Sequence, residues 1–209
     1  MRARAGRAGD APDRPPPRRV RPAGGKDDRD LRLRRRPSVR SAHVAALARG
    51  DAWIEQGANV LIFGPSGTGK THIASAIGAG LIDDSYRVLF TRTTDLVQKL
   101  QAARRDLTLP ATLAKLDKFD CLILDDLGYV RKDGAETSVL FELIAERYER
   151  RSLIITCNQP FGEWGQIFPD PAITVAAIDR LVHHATILEL NTESYRRRAA
   201  GAQARTSAA

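Results

Sequence analysis

The amino-acid sequence predicts an α/β protein in which a parallel five-stranded sheet, covered by helices on both faces, is built around a phosphate-binding loop. Three observations predict it. Five short apolar runs alternate with stretches of helical periodicity, which is the pattern of repeated βα units. These runs are apolar at nearly every position, as strands buried on both faces must be. Directly after the first run, Asn59-Val60-Leu61-Ile62-Phe63, comes Gly64-Pro65-Ser66-Gly67-Thr68-Gly69-Lys70-Thr71, which fits GxxxxGK[ST] between a strand and a helix.

Residues 1–36 hold 12 Arg, 5 Pro and 4 Gly with almost no sizeable apolar side chain, too little to offset the entropy of ordering them. A disordered tail is expected there, either a basic arm on phosphates or a solvated end. Residues 199–209 read as a second disordered tail, leaving 37–198 as the folded domain. From Ser41, Val44, Leu47 and Ala48 recur at helical spacing, and Gly50-Asp51 ends that helix. Strand 59–63 feeds the loop, whose glycines let backbone N–H groups converge on an anion. The helix from Lys70 to about Ile82 sets Ile73, Ala74, Ile77 and Leu81 on one face.

Arg87–Thr91 reads as the second strand. Thr93-Thr94-Asp95 then offers an N-cap for a helix whose Leu96, Leu100, Ala103 and Leu107 form an apolar stripe. After Leu109-Pro110 a shorter helix carries Lys115 and Lys118. The third strand, Cys121-Leu122-Ile123-Leu124, ends in Asp125-Asp126. A helix from about Ala135 to Arg150 buries Leu140, Leu143, Ile144 and Tyr148. The fourth strand, Leu153–Thr156, ends at Cys157-Asn158. Asp170-Pro171 starts the last helix, Asp as N-cap and Pro in the first position, and it runs to about His183. Ala185–Leu190 is the final strand.

Composition narrows the function classes. No apolar run approaches the roughly 18 residues of a membrane span, and the basic N-terminus lacks a signal peptide's apolar stretch. A soluble, cytoplasmic protein with no membrane partner is expected. Cys121 and Cys157, the only cysteines, have no His or Cys at metal-ligand spacing and read as reduced core thiols. The net charge of +8 is unevenly spread: residues 1–50 carry 15 Lys/Arg against 5 Asp/Glu, while residues 51–195 carry 14 against 20. A folded part that binds DNA must therefore use local patches rather than its overall field.

In a parallel sheet, ligands bind at the carboxyl ends of the strands. Lys70 there reaches the β- and γ-phosphates of a nucleotide, and the Thr71 hydroxyl with the Asp125 carboxylate holds Mg²⁺. Asp126 orients or deprotonates the water that attacks the γ-phosphate, and Asn158 can hydrogen-bond the same water or the phosphate. Asn158-Gln159-Pro160-Phe161 is not the Asn-Lys-x-Asp base reader of a GTPase. A phosphotransferase would need an acceptor pocket, for which there is no signature. Arg180 falls within about 20° of Ile173 around the helix, beside Ala177 and Leu181. It is either paired with Asp179 or another neighbour, or it reaches another subunit's nucleotide as an arginine finger. His183 and His184 end that helix, where its dipole suits a cation, with no catalytic role expected.

The run from about Pro37 to Arg198 resembles the IstB-type helper ATPases of bacterial transposons, AAA+ proteins related to DnaC-type helicase loaders and the DnaA initiator. The resemblance rests on Gly64 to Thr71, on Leu122-Ile123-Leu124-Asp125-Asp126-Leu127-Gly128-Tyr129, and on Ile155-Thr156-Cys157-Asn158-Gln159-Pro160-Phe161-Gly162-Glu163-Trp164. It continues through Asp179-Arg180-Leu181-Val182-His183-His184 and Glu193-Ser194-Tyr195-Arg196. It implies that the loop binds ATP, that Asp125 and Asp126 are the Walker B pair, and that Asn158 is the first sensor. It further implies Arg180 as a finger acting in trans and Arg196 as the second sensor.

The same resemblance implies ATP hydrolysis stimulated by oligomerisation and double-stranded DNA, and delivery of that DNA to a partner transposase. A loader acting on a replicative helicase is the alternative; a phosphotransferase or an inactive transposon remnant is more remote. Lys99, Arg104, Arg105, Lys115 and Lys118 fall where these relatives carry an extra helix facing DNA. They either contact DNA or form a solvated basic face. Two departures stand out: Asp126 occupies a position where many AAA+ proteins have Glu, and residues 1–36 match neither the helical domain nor the aromatic linker of the relatives. The second departure predicts a truncated or frameshifted copy.

Overall fold

A computed structural model describes residues 41–50, 52–128 and 133–190. Arg196, Tyr129 and both tails lie outside the described residues. Within them, five strands form one parallel sheet: β1 (Asn59–Phe63), β2 (Val88–Arg92), β3 (Cys121–Asp125), β4 (Ser152–Cys157) and β5 (Ala185–Glu189). Their spatial order is β2-β3-β4-β1-β5. The loop-bearing strand thus lies beside β4, with β3 next, so the first, third and fourth apolar runs end side by side.

The continuous apolarity of the central strands is explained by what covers them. Along β1, Leu61 and Phe63 face one core while Val60 and Ile62 face the other, because successive side chains alternate across a strand. One core is closed by α3 (Thr93–Arg105), α4 (Leu109–Leu116), α5 (Gly134–Arg147) and α6 (Pro171–Val182). The other is closed by α1 (Ser41–Ala48) and α2 (Lys70–Asp83). Every residue of β1, β3 and β4 is buried, whereas β2 and β5, at the sheet edges, are partly exposed. Burying one such Leu or Ile contributes about 1.5–3 kcal/mol, so the central three strands form the most strongly held part of the sheet.

Two helix starts follow their local chemistry. The Asp170 carboxylate accepts from the N–H groups of Ala172 and Ile173 with Pro171 in the first turn, as expected. Asp133 and Glu136 form a reciprocal capping box at α5, which places its start at Gly134.

Three expectations need correction. The cap of α3 is Arg92, with no side-chain capping bond; Thr93 is already helical and its hydroxyl instead donates to the Asp125 carbonyl, 2.9 Å away. Leu107 does not join the α3 stripe, since the helix ends at Arg105 and Leu107, at φ 55°, swings out to 91% exposure; Val97 takes its place in the core. Finally, α5 stops at Arg147 rather than Arg150, leaving Tyr148 only half-buried.

Arg147, the last residue of that helix, ties its end to the neighbouring elements. It is buried, and its guanidinium donates to the carbonyls of Leu116 at 3.1 Å, Phe119 at 3.0 Å and Ser152 at 3.1 Å. One cation thereby gathers the ends of α4 and α5 at the amino-terminal edge of β3 and β4. Burial pulls its pKa down to about 10, so it remains charged at neutral pH. Arg147→Ala would remove the guanidinium from all three carbonyls; that of Leu116 would keep only the Phe119 N–H, 3.1 Å away. A loss of about 3 kcal/mol is expected in urea unfolding, with the Gly64–Thr71 loop at the far edge of the sheet unmoved.

Candidate nucleotide-binding site

The loop turns as its glycines allow. Gly67 and Gly69 have φ of 80° and 90°, a region that disfavours a Cβ. Gly64 has φ 149°, and a Cβ there would stand 2.6 Å from the Leu190 carbonyl oxygen. The loop is therefore pressed against the chain leaving β5. It is also tied sideways to β4, because the Gly64 N–H donates to the Cys157 carbonyl. The Thr68 hydroxyl donates to the Pro65 carbonyl at 2.9 Å and holds the turn closed. Lys70, buried in the first turn of α2, donates to the carbonyls of Gly64 at 2.6 Å and Pro65 at 3.1 Å, which holds its ammonium across the loop.

Next to α2, the Thr71 hydroxyl lies 3.0 and 3.2 Å from the two oxygens of the Asp125 carboxylate. These residues are 54 apart in sequence and meet because β3 ends two strands from β1. The donor set, a hydroxyl and a carboxylate, is the all-oxygen chemistry that Mg²⁺ selects. Their 3.0–3.2 Å separation is that of a hydrogen bond from the Thr71 hydroxyl to the carboxylate, which binding of an ion by these oxygens would replace.

Thr156 was not legible as a site residue, since a threonine inside a strand reads as an ordinary β-former. It is fully buried on β4, donates to Asp125 Oδ1 at 2.6 Å and accepts from the Asp126 N–H at 2.9 Å. One hydroxyl thus fixes the first carboxylate of the acidic pair and the backbone of the second. Asp126 sits at φ 58°, a left-handed conformation that Asp tolerates better than most residues. The Leu127 N–H donates to the Thr156 carbonyl and closes the same turn. Thr93, anchored to the Asp125 carbonyl, fixes this strand end from the other side.

Asn158 follows β4 and is exposed beside the acidic turn: a Cβ on Gly128 would stand 2.7 Å from its Oδ1. The Pro-Phe-Gly-Glu-Trp run after it folds as a 3₁₀ turn, Phe161–Gln166. Phe161 packs edge-on against Phe63, with ring centroids 4.7 Å apart, and Trp164 is fully buried. These aromatics anchor the Asn158 segment to the end of β1. Cys157, behind it, is buried and free, as is Cys121; burial pushes both thiols up, Cys121 to about 12, which leaves them unreactive.

Arg180 is not part of this cluster. The Asn59 amide, at the start of β1, donates to the Leu181 carbonyl, so the end of α6 lies at the edge of the sheet opposite the loop. Five strand residues, about 17 Å, separate that point from Gly64. Among the described residues Arg180 has no carboxylate partner: it donates to the Ala176 carbonyl and rests over the rings of Phe141 and Tyr148, at 5.1 and 6.0 Å. The ion pair with Asp179 is not formed. Of the basic residues on α3, α4 and the segment after them, Arg104 is engaged by Ser138 and Glu142 of α5, whereas Lys99, Arg105, Lys115 and Lys118 are exposed.

Comparisons with known proteins agree with this architecture. A family model described as IstB-like ATP binding protein matches residues 26–203. A relative described as an insertion sequence ATP-binding protein of Sinorhizobium fredii is 70% identical over 164 residues, covering 78% of this chain and 55% of that protein. Another, described as the IS21 ATP-binding protein of Pseudomonas aeruginosa, is 40% identical over 160 residues, 77% of this chain and 60% of that protein. The chain thus spans little more than half the length of these relatives. Among solved structures, the DnaC helicase loader superposes with a TM-score of 0.57 at 22% identity, covering 72% of this chain and 87% of that one. DnaI gives 0.60 at 19%, covering 72% and 84%. At those identities the likeness is one of fold, the P-loop AAA+ arrangement of a five-stranded parallel sheet. A family match spanning most of the chain, over a sheet that brings the loop, the acidic pair and Asn158 to one edge, identifies it: the chain belongs to the IstB-like ATP-binding protein family.

Proposed function

We propose that this protein binds ATP with Mg²⁺, hydrolyses it in assemblies of several copies on double-stranded DNA, and assists a partner transposase in the cytoplasm. The observation that carries the reading is the convergence of Lys70, Thr71, Asp125, Asp126 and Asn158 at the carboxyl ends of β1, β3 and β4. Phosphate oxygens, being charged, outcompete the Gly64 and Pro65 carbonyls for the Lys70 ammonium. Mg²⁺ held by Thr71 and Asp125 would neutralise charge on the β- and γ-phosphates. Asp126, set at the turn by Thr156, orients the attacking water and takes its proton, while the Asn158 amide holds that water or the γ-phosphate.

Arg180 acts on a neighbouring copy. Its distance from its own loop supports this, because about 17 Å exceeds the reach of an arginine side chain. The exposed cations Lys99, Arg105, Lys115 and Lys118 are proposed to meet DNA phosphates, and Arg196 to act as a second sensor. The names of the relatives, insertion sequence proteins, favour a transposase as partner. The likeness to DnaC extends to fold alone and does not by itself favour a helicase.

ATP turnover measured with and without double-stranded DNA tests the reading, with Lys70→Ala as the inactive control. Turnover that rises on DNA and falls steeply with salt is expected. No turnover in either condition would refute the enzymatic reading.

A further inference from the structure

We propose that Glu149, His183 and His184 form a second metal site, for a transition dication such as Zn²⁺, separate from the all-oxygen Mg²⁺ site at the loop. The chain leaving α5 and the chain leaving α6 meet here. His183 Nδ1 is 3.2 Å from Glu149 Oε1, and the rings of His183 and His184 lie with centroids 3.9 Å apart. One ligand atom from each of the three residues lies within 4.8 Å of the other two. All three side chains are exposed, so closing to the roughly 3.3 Å separations of a tetrahedral Zn²⁺ shell requires side-chain motion that exchanges the Glu149–His183 contact for bonds to the ion.

A further observation points to a ligand rather than a simple ion pair. A Glu149–His183 pair accounts for one imidazole and not for the second, tilted 40° to it at a centroid distance of 3.9 Å, whereas a shared dication would engage both. Two imidazoles with one carboxylate select Zn²⁺, Ni²⁺ or Cu²⁺ over Mg²⁺ and Ca²⁺. Three protein ligands also leave a fourth position open for water or a group from outside the chain.

The Tyr148 hydroxyl stands 2.7 Å from His183 Nδ1, so this ring would bind the ion through Nε2 while Tyr148 orients it through Nδ1. The same tyrosine ring lies beneath Arg180. Metal occupancy therefore bears on the residue proposed to act between subunits; that consequence rests on the ATPase reading, while the site itself does not.

The test uses tag-free full-length protein, stripped with chelator, titrated with ZnCl₂ by calorimetry without nucleotide. One equivalent per chain and a raised thermal midpoint are expected, unaffected by excess Mg²⁺. His184→Asn keeps a residue that tolerates the left-handed backbone of this position, φ 59°, and it and His183→Ala should each weaken binding at least tenfold. Circular dichroism verifies their folding. Absent binding, or affinity unchanged in both variants because His43, His72 or the tails take the ion, would overturn the site whatever the ATPase result.

Discussion

Arg180→Ala is expected to lower ATP turnover about a thousandfold or more while leaving nucleotide affinity unchanged, and mixing it with Lys70→Ala subunits should restore part of the activity. The magnitude is that of losing an arginine that stabilises charge on a transferring phosphoryl group. Recovery on mixing follows from the proposed action of Arg180 between subunits. A Lys70→Ala chain is dead at its own loop but still carries Arg180, and an Arg180→Ala chain keeps its loop. Only a site made of both chains would be complete. Loss of the contacts to Phe141 and Tyr148 and of the bond to Ala176 would by itself cost stability, not turnover. The thermal midpoint of the variant separates the two effects, and mixtures no more active than their components would exclude action between subunits.

Thr156→Val should lower kcat about a hundredfold with KM for ATP changed far less, and Thr156→Ser should restore most of it. Valine keeps the shape and burial of the side chain but removes the donor to Asp125 Oδ1 and the acceptor for the Asp126 N–H. The Asp126 backbone, held at φ 58°, then loses the bond that fixes it, and displacing a catalytic group by about 1 Å costs on the order of 10²-fold in rate. A stability loss of about 1–3 kcal/mol accompanies the unpaired N–H. If the rate is preserved and only stability falls, Thr156 is a packing residue. Higher Mg²⁺ should not rescue the valine variant if Asp126 is the group displaced.

The sequence by itself determined the phosphate loop, the five strands and the Asp170 cap. Each of these depends on physics within a few residues: glycines permitting positive φ, unbroken apolar runs demanding cover on both faces, a carboxylate bonding the next turn's N–H groups. Asp125 and Asp126 were legible for the same reason, as polar residues abruptly ending an apolar strand. Leu107 was misread because helical spacing predicts a stripe only while the helix lasts, and α3 ends two residues earlier. Only the tertiary structure decided the strand order β2-β3-β4-β1-β5, and with it everything that depends on which strand ends are neighbours. Thr156 touches Asp125 across 31 residues, Thr71 across 54, and Glu149 reaches His183 from another helix end. Arg180 lies far from its own loop for the same reason, since strand pairing fixes which edge of the sheet each helix end occupies. Such contacts are set by register and burial across the whole sheet, which no local pattern encodes.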